Sequence, residues 1–202
     1  MKIGFYPRLA WDGIRKNRRL YIPDLITCIC MVMMYYILAF LRSPYTASLL
    51  PRGARSATML MNLGSFVVLL FSLIFLYYTN SFLIRRRKKE FGLYNVLGMS
   101  KGNLARIITW ESLISAVVSL IAGLALGILL SKLAELGLVN MLDGEINYRF
   151  IVLPEAVLNT ILFFAVIYAI IWLASVLRVR KSSAVALMKS ENVGEKTPKG
   201  NW

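Results

Sequence analysis

The sequence predicts an all-α integral membrane protein: four transmembrane helices, an N-terminal interfacial helix, and a cytoplasmic extension of the second span. Three observations predict it. Of the 202 residues, 58% are hydrophobic, and the mean hydropathy is +0.64. The apolar residues are clumped into long runs instead of following the period of a soluble amphipathic element. The basic residues behind the net charge of +14 gather at the ends of those runs.

The first element is the basic, aromatic stretch from Phe5 to Tyr21, in which Leu9, Trp11 and Ile14 alternate with cations. That pattern suits an amphipathic helix lying flat on the inner leaflet, and residues 1–21 are assigned to it. A hydrocarbon layer of about 30 Å needs about 20 apolar residues at 1.5 Å each. Four runs qualify within a module of residues 22–177: Ile22–Leu41, Met59–Ile84, Ile107–Leu130 and Val157–Leu177. The first is longer than the roughly 7–15 apolar residues of a signal peptide, so it reads as a retained span. Pro23 and Asp24 are expected to open it, since proline is tolerated in a first turn and an acid complements the positive helix end. Residues 178–202 form a tail or linker.

Orientation follows from the cations. Of the 24 Lys and Arg residues, all but Arg42, Arg52, Arg55, Lys132 and Arg149 precede the first span, join the second to the third, or follow the fourth. Basic residues near span ends stay in the cytoplasm. The expectation is a multi-pass protein of the bacterial cell membrane with both termini and the middle loop cytoplasmic. With the charge so explained and no soluble basic domain, nucleic-acid binding is not expected. The five cations Arg85 to Lys89 suit anchoring to anionic lipid head groups.

Chemistry is sparse. There is no histidine, and Cys28 and Cys30 lie on different faces of one helix, as packed thiols do. No metal site, no cofactor and no catalysis are expected of this chain. The third span is the most patterned: Glu111, Ser115, Ser119, Gly123, Gly127 and Ser131 recur every four residues, and Gly123 with Gly127 makes a GxxxG match. This stripe should face other helices. Glu111, near the cytoplasmic end, either pairs with Arg106 or another loop cation or makes an interhelical polar contact that changes during a cycle.

Past the cations, Phe91, Tyr94 and Leu97, with Leu93 beside them, fall at helical spacing and give a cytoplasmic helix an apolar face that needs a partner. Gly98 can supply a left-handed cap and Ser100 can cap the next helix.

At these residues the chain resembles the FtsX-like, or MacB-like, permease domain of ABC transporters. The resemblance rests on Arg87-Lys-Lys-Glu90-Phe-Gly-Leu-Tyr94-Asn-Val-Leu97-Gly-Met-Ser100-Lys-Gly-Asn-Leu104. Leu9 to Arg18 and Ser182 to Glu191 look like the flanks of bacitracin-exporter-type permeases, and the short Arg42–Thr58 connection fits that branch. The resemblance implies antimicrobial-peptide resistance or sensing and a cytoplasmic ABC ATPase, as a dimer, that binds the ATP. It also implies a possible membrane histidine kinase partner. It further implies a ten-span protein of which this chain is the N-terminal half, as a fragment, a split gene or a truncated form, with the C-terminal permease half missing. The residues expected to couple to the ATPase are Glu90, Phe91, Gly92, Leu93, Tyr94, Leu97, Gly98 and Ser100, with Ala184, Leu187 and Met188 of the tail. Helix packing falls to Ser115, Ser119, Gly123 and Gly127. The alternative is a four-span scaffold without transport that docks a sensor kinase through the small-residue face of the third span.

Overall fold

The computed structural model describes residues 5–50, 53–87, 90–93, 98–142 and 149–181. It is helical, with no strand among the described residues. The elements are α1 (Phe5–Lys16), α2 (Arg18–Leu41), α3 (Pro44–Ser48), α4 (Ala54–Arg86), α5 (Lys101–Met141) and α6 (Pro154–Lys181). Four of them, α2, α4, α5 and α6, are long and apolar enough to cross a membrane.

The span α2 is the hub, packed against α4, α5 and α6. It buries Cys28, Val32, Tyr35, Tyr36, Ala39 and Phe40 among the other spans. This helix starts at Arg18, separated from α1 by Asn17 alone. Pro23 and Asp24 therefore lie in its second turn, contrary to the expectation that they open it. Arg18 and Arg19 are good helix formers, and the burial of Tyr21 at 2% exposure holds the first turn in place.

The small-residue stripe of α5 meets α2 and α6. A Cβ added to Gly123 would lie 2.6 Å from Val32 Cβ and 3.0 Å from the Ile29 carbonyl oxygen, and one added to Gly127 would lie 3.0 Å from Tyr36 Cδ1. Ser119 Oγ and Tyr168 OH are 2.6 Å apart across the α5–α6 contact. That face is thus occupied within the chain, which removes the surface on which a docked kinase was expected to sit.

The α4 helix turns its small polar residues inward. Ser65, Ser72 and Ser81 are buried, and each hydroxyl donates to the carbonyl four residues earlier at 2.6–2.7 Å. Such back-bonding satisfies a hydroxyl where lipid and core offer no acceptor. Its other face exposes Leu63, Phe66, Leu70, Ile74 and Tyr78, as a lipid-facing helix does.

With 41 residues, α5 outruns the 107–130 expectation at both ends and is about 60 Å long. At its start, Ser100 caps it by accepting from the Asn103 N–H, and Gly98 is left-handed with φ of +87°. At its far end Lys132 Nζ lies 3.0 Å from Glu135 Oε1, and that carboxylate is 2% exposed.

Candidate functional site

The site lies at the end of the bundle where α4 stops. Arg87 is the C-cap of α4, its N–H donating to the carbonyls of Leu83 and Arg85. The Phe91 N–H donates to the Arg87 carbonyl at 3.1 Å, and the segment Glu90–Leu93 is helical. The extension of the second span is therefore set off from α4 by Arg87.

Arg87 is 4% exposed, so it is withdrawn from the lipid-anchoring cations; Arg85 and Arg86 remain exposed, and Lys88 and Lys89 lie outside the described residues. Its Nη1 is 2.5 Å from both Glu111 Oε2 and the Tyr21 hydroxyl. Its Nε donates to Glu90 Oε2 at 2.9 Å. The Tyr21 hydroxyl donates to Glu111 Oε2 at 3.0 Å, and Asn17 Nδ2 donates to Glu90 Oε1 at 2.8 Å. The guanidinium also lies over the Phe91 and Tyr21 rings, 5.1 and 5.6 Å from their centroids. Burial opposes its charge, but Glu111, Tyr21 and Glu90 together outweigh that and keep the guanidinium pKa raised. One cation thus joins α2, α4, α5 and the Glu90–Leu93 segment.

The partner of Glu111 is a loop cation, but not Arg106, which lies over the Tyr6 ring instead. Among the described residues only one Glu111 oxygen is served; Oε1 is buried without a hydrogen-bond partner there. Over it sits Gly13 of α1. A Cβ there would be 2.7 Å from Glu111 Oε1 and 3.3 Å from Arg87 Nη2, so only glycine lets α1 approach this closely. The α1 helix is therefore fastened to the start of α5, with Ala10 fully buried and Tyr6 OH donating to Asn103 Oδ1 at 3.0 Å.

The expected coupling residues separate by direction. Phe91, 1% exposed, packs with Ile84, Leu104, Ile108 and Val179, between α4, α5 and α6. Gly92 is buried as well, whereas Leu93 is 58% exposed. Gly98 and Ser100 are exposed. Tyr94, Leu97, Ala184, Leu187 and Met188 lie outside the described residues. Sequence reasoning missed Gly13, Asn17, Tyr21 and the inward role of Arg87. A signal existed for three of them, since Ala10, Gly13, Asn17 and Tyr21 recur at helical spacing of three or four.

Residues 62–184, more than half of the chain, match the family model described as FtsX-like permease C-terminal. The chain belongs to the FtsX-like permease family. The matched region takes in most of α4, all of α5 and α6, and with them Arg87, Glu90 and Glu111. With its four long apolar helices, this FtsX-like permease is a multi-pass membrane protein. It is 27% identical over 191 residues to "Uncharacterized ABC transporter permease YvcS" of Bacillus subtilis (strain 168), covering 94% of this chain and 30% of that one. It is 29% identical over 181 residues to "Bacitracin export permease protein BceB" of Halalkalibacterium halodurans, covering 89% and 28%. The Bacillus subtilis protein of the same name is 27% identical over 182 residues, with 90% and 28% covered. The chain thus spans about three tenths of the length of these relatives.

Proposed function

We propose that this FtsX-like permease is part of the membrane subunit of an ABC transporter of the bacitracin-exporter type, serving antimicrobial-peptide resistance or sensing. A partner ATPase acts on it from the Arg87 side. That side is cytoplasmic in this reading, as the distribution of cations requires, and a companion permease half completes the subunit. The observation that carries the proposal is the buried network around Arg87. Because Glu90 is held by both Arg87 and Asn17, and Phe91 is wedged among three helices, a push on the Glu90–Leu93 segment is delivered to α1, α2, α5 and α6 together. Shear of packed helices between two arrangements is an established mode of switching.

Within that segment the work is divided in this reading. Leu93 faces outward as a contact for the ATPase, while Glu90 and Phe91 pass the displacement inward. The test is co-expression with a candidate ABC ATPase, followed by pull-down and ATPase assay. Leu93→Asp should reduce ATPase recovery. Glu90→Gln should leave recovery intact and lower the permease-dependent change in ATPase activity. Wild-type recovery and activity from both variants would refute the coupling.

A further inference from the structure

The four spans enclose a cavity of about 410 Å³ directly above the Arg87–Glu111 pair, within the range of small-molecule sites. Its α5 lining runs from Ile108 to Leu120, about 18 Å along the helix. The lining residues that are exposed are Leu113, Val117, Ala165, Ala169 and Trp172, all on α5 or α6, while those from α2 and α4 are buried or half-buried. The cavity therefore opens sideways, toward lipid, through the α5–α6 seam. Two hydrogen bonds bracket the opening: Trp172 Nε1 to Thr109 Oγ1 at 2.9 Å, and the Ser119–Tyr168 contact at 2.6 Å.

The wall is mostly apolar, with one conspicuous exception on α2. Asp24 lines the cavity at 8% exposure. Its polar neighbours are Thr79, Cys28 and Tyr168, the Thr79 hydroxyl donating to the Phe75 carbonyl, and no basic side chain among the described residues pairs with it. Arg87 cannot serve it, being engaged by Glu90 and Glu111. A buried carboxylate without a partner is costly, and a cation beside it relieves that cost. Tyr168 and Trp172 line the α6 side of the cavity, and aromatic rings attract ammonium groups.

We propose that this cavity binds a single-chain cationic amphiphile drawn from the bilayer, its ammonium group at Asp24 and its alkyl chain leaving through the seam beside Leu113, Val117 and Trp172. The carboxylate selects the charge and the lateral opening selects the chain. The inference is independent of the ATPase reading and is measured without an ATPase.

The test uses the full chain in phosphatidylcholine nanodiscs and equilibrium binding of radiolabelled dodecyltrimethylammonium, with dodecanol and tetramethylammonium as comparison ligands. Saturable binding of the amphiphile is expected, with each comparison ligand at least about tenfold weaker, a difference of about 1.4 kcal/mol. Asp24→Asn should weaken the amphiphile by at least about tenfold and leave dodecanol unchanged. Equal binding of dodecanol by the wild-type chain would mean simple partitioning, and equal binding of tetramethylammonium would mean an ion site; either overturns the proposal. So does undiminished amphiphile binding by folded Asp24→Asn. If that variant does not fold, the wild-type comparison of the three ligands decides alone.

Discussion

Arg87→Met should be the most damaging conservative-volume change at the Arg87 end of the bundle. Among the described residues it removes the only basic partner of Glu111, whose side chain is 6% exposed, and leaves that carboxylate with the Tyr21 hydroxyl. It also frees Glu90 from one of its two partners. Breaking a buried ion pair from one side costs about 3–5 kcal/mol, whereas replacing both members with apolar groups of similar size is often close to neutral. The folding constant should therefore fall by about two to four powers of ten in Arg87→Met. Most of that loss should be recovered in Arg87→Met with Glu111→Leu. The assay is reversible unfolding in mixed micelles, followed by far-UV circular dichroism across the four members of a double-mutant cycle. A single-mutant cost below about 1 kcal/mol, the range of an exposed pair, would refute the buried network. So would additive costs in the double mutant, because groups in contact couple.

Gly13→Ala should cost about 1–3 kcal/mol, as overpacking does, because its Cβ meets Glu111 Oε1 at 2.7 Å. Gly64→Ala, whose Cβ would meet Leu38 at 3.7 Å, should be neutral or stabilising by up to about 1 kcal/mol; the same unfolding assay compares the two, and equal costs would contradict the packing described. Gly123→Ala should loosen α2 from α5, since both Val32 and the Ile29 carbonyl crowd the new methyl. Faster amide exchange near Ile29 and Val32 would show it, and unchanged exchange would count against the close approach. For orientation, Ser48→Cys and Arg106→Cys in a background lacking Cys28 and Cys30 should label from opposite sides of the membrane. Labelling from the same side would overturn the topology.

Much of the fold was legible in the linear order of residues. The span count follows from run length, because a bilayer imposes a minimum apolar length. Element ends were less legible. The apolar run begins at Ile22, yet α2 begins at Arg18, since helix geometry continues through polar residues wherever tertiary contacts support it. The same holds at the far end of α5, where Lys132 and Glu135 satisfy each other and the helix runs on past Leu130.

The site was legible as a segment but not as a geometry. Glu111 stood out as a carboxylate in an apolar run, and the Glu90–Ser100 stretch stood out by its motif and its apolar face. Nothing in the spacing told which of the five consecutive cations turns inward. Residues 85, 86 and 87 differ only in the angle at which they leave α4, and the placement of α2 and α5 puts Arg87 against Glu111 and Tyr21. Likewise Phe91 and Leu93 look equivalent as apolar residues, yet one is enclosed by three helices and the other is exposed.

By itself, then, the sequence determined the class of protein, the number of spans and the expected sidedness, because these depend on length, hydropathy and net charge along the chain. Only the tertiary structure decided that α1 is fastened over the Arg87–Glu111 pair through Gly13, and that Asp24 looks into a cavity open to lipid. Pairing and enclosure depend on the relative rotation and position of helices far apart in sequence, and residue periodicity within one helix carries no information about either.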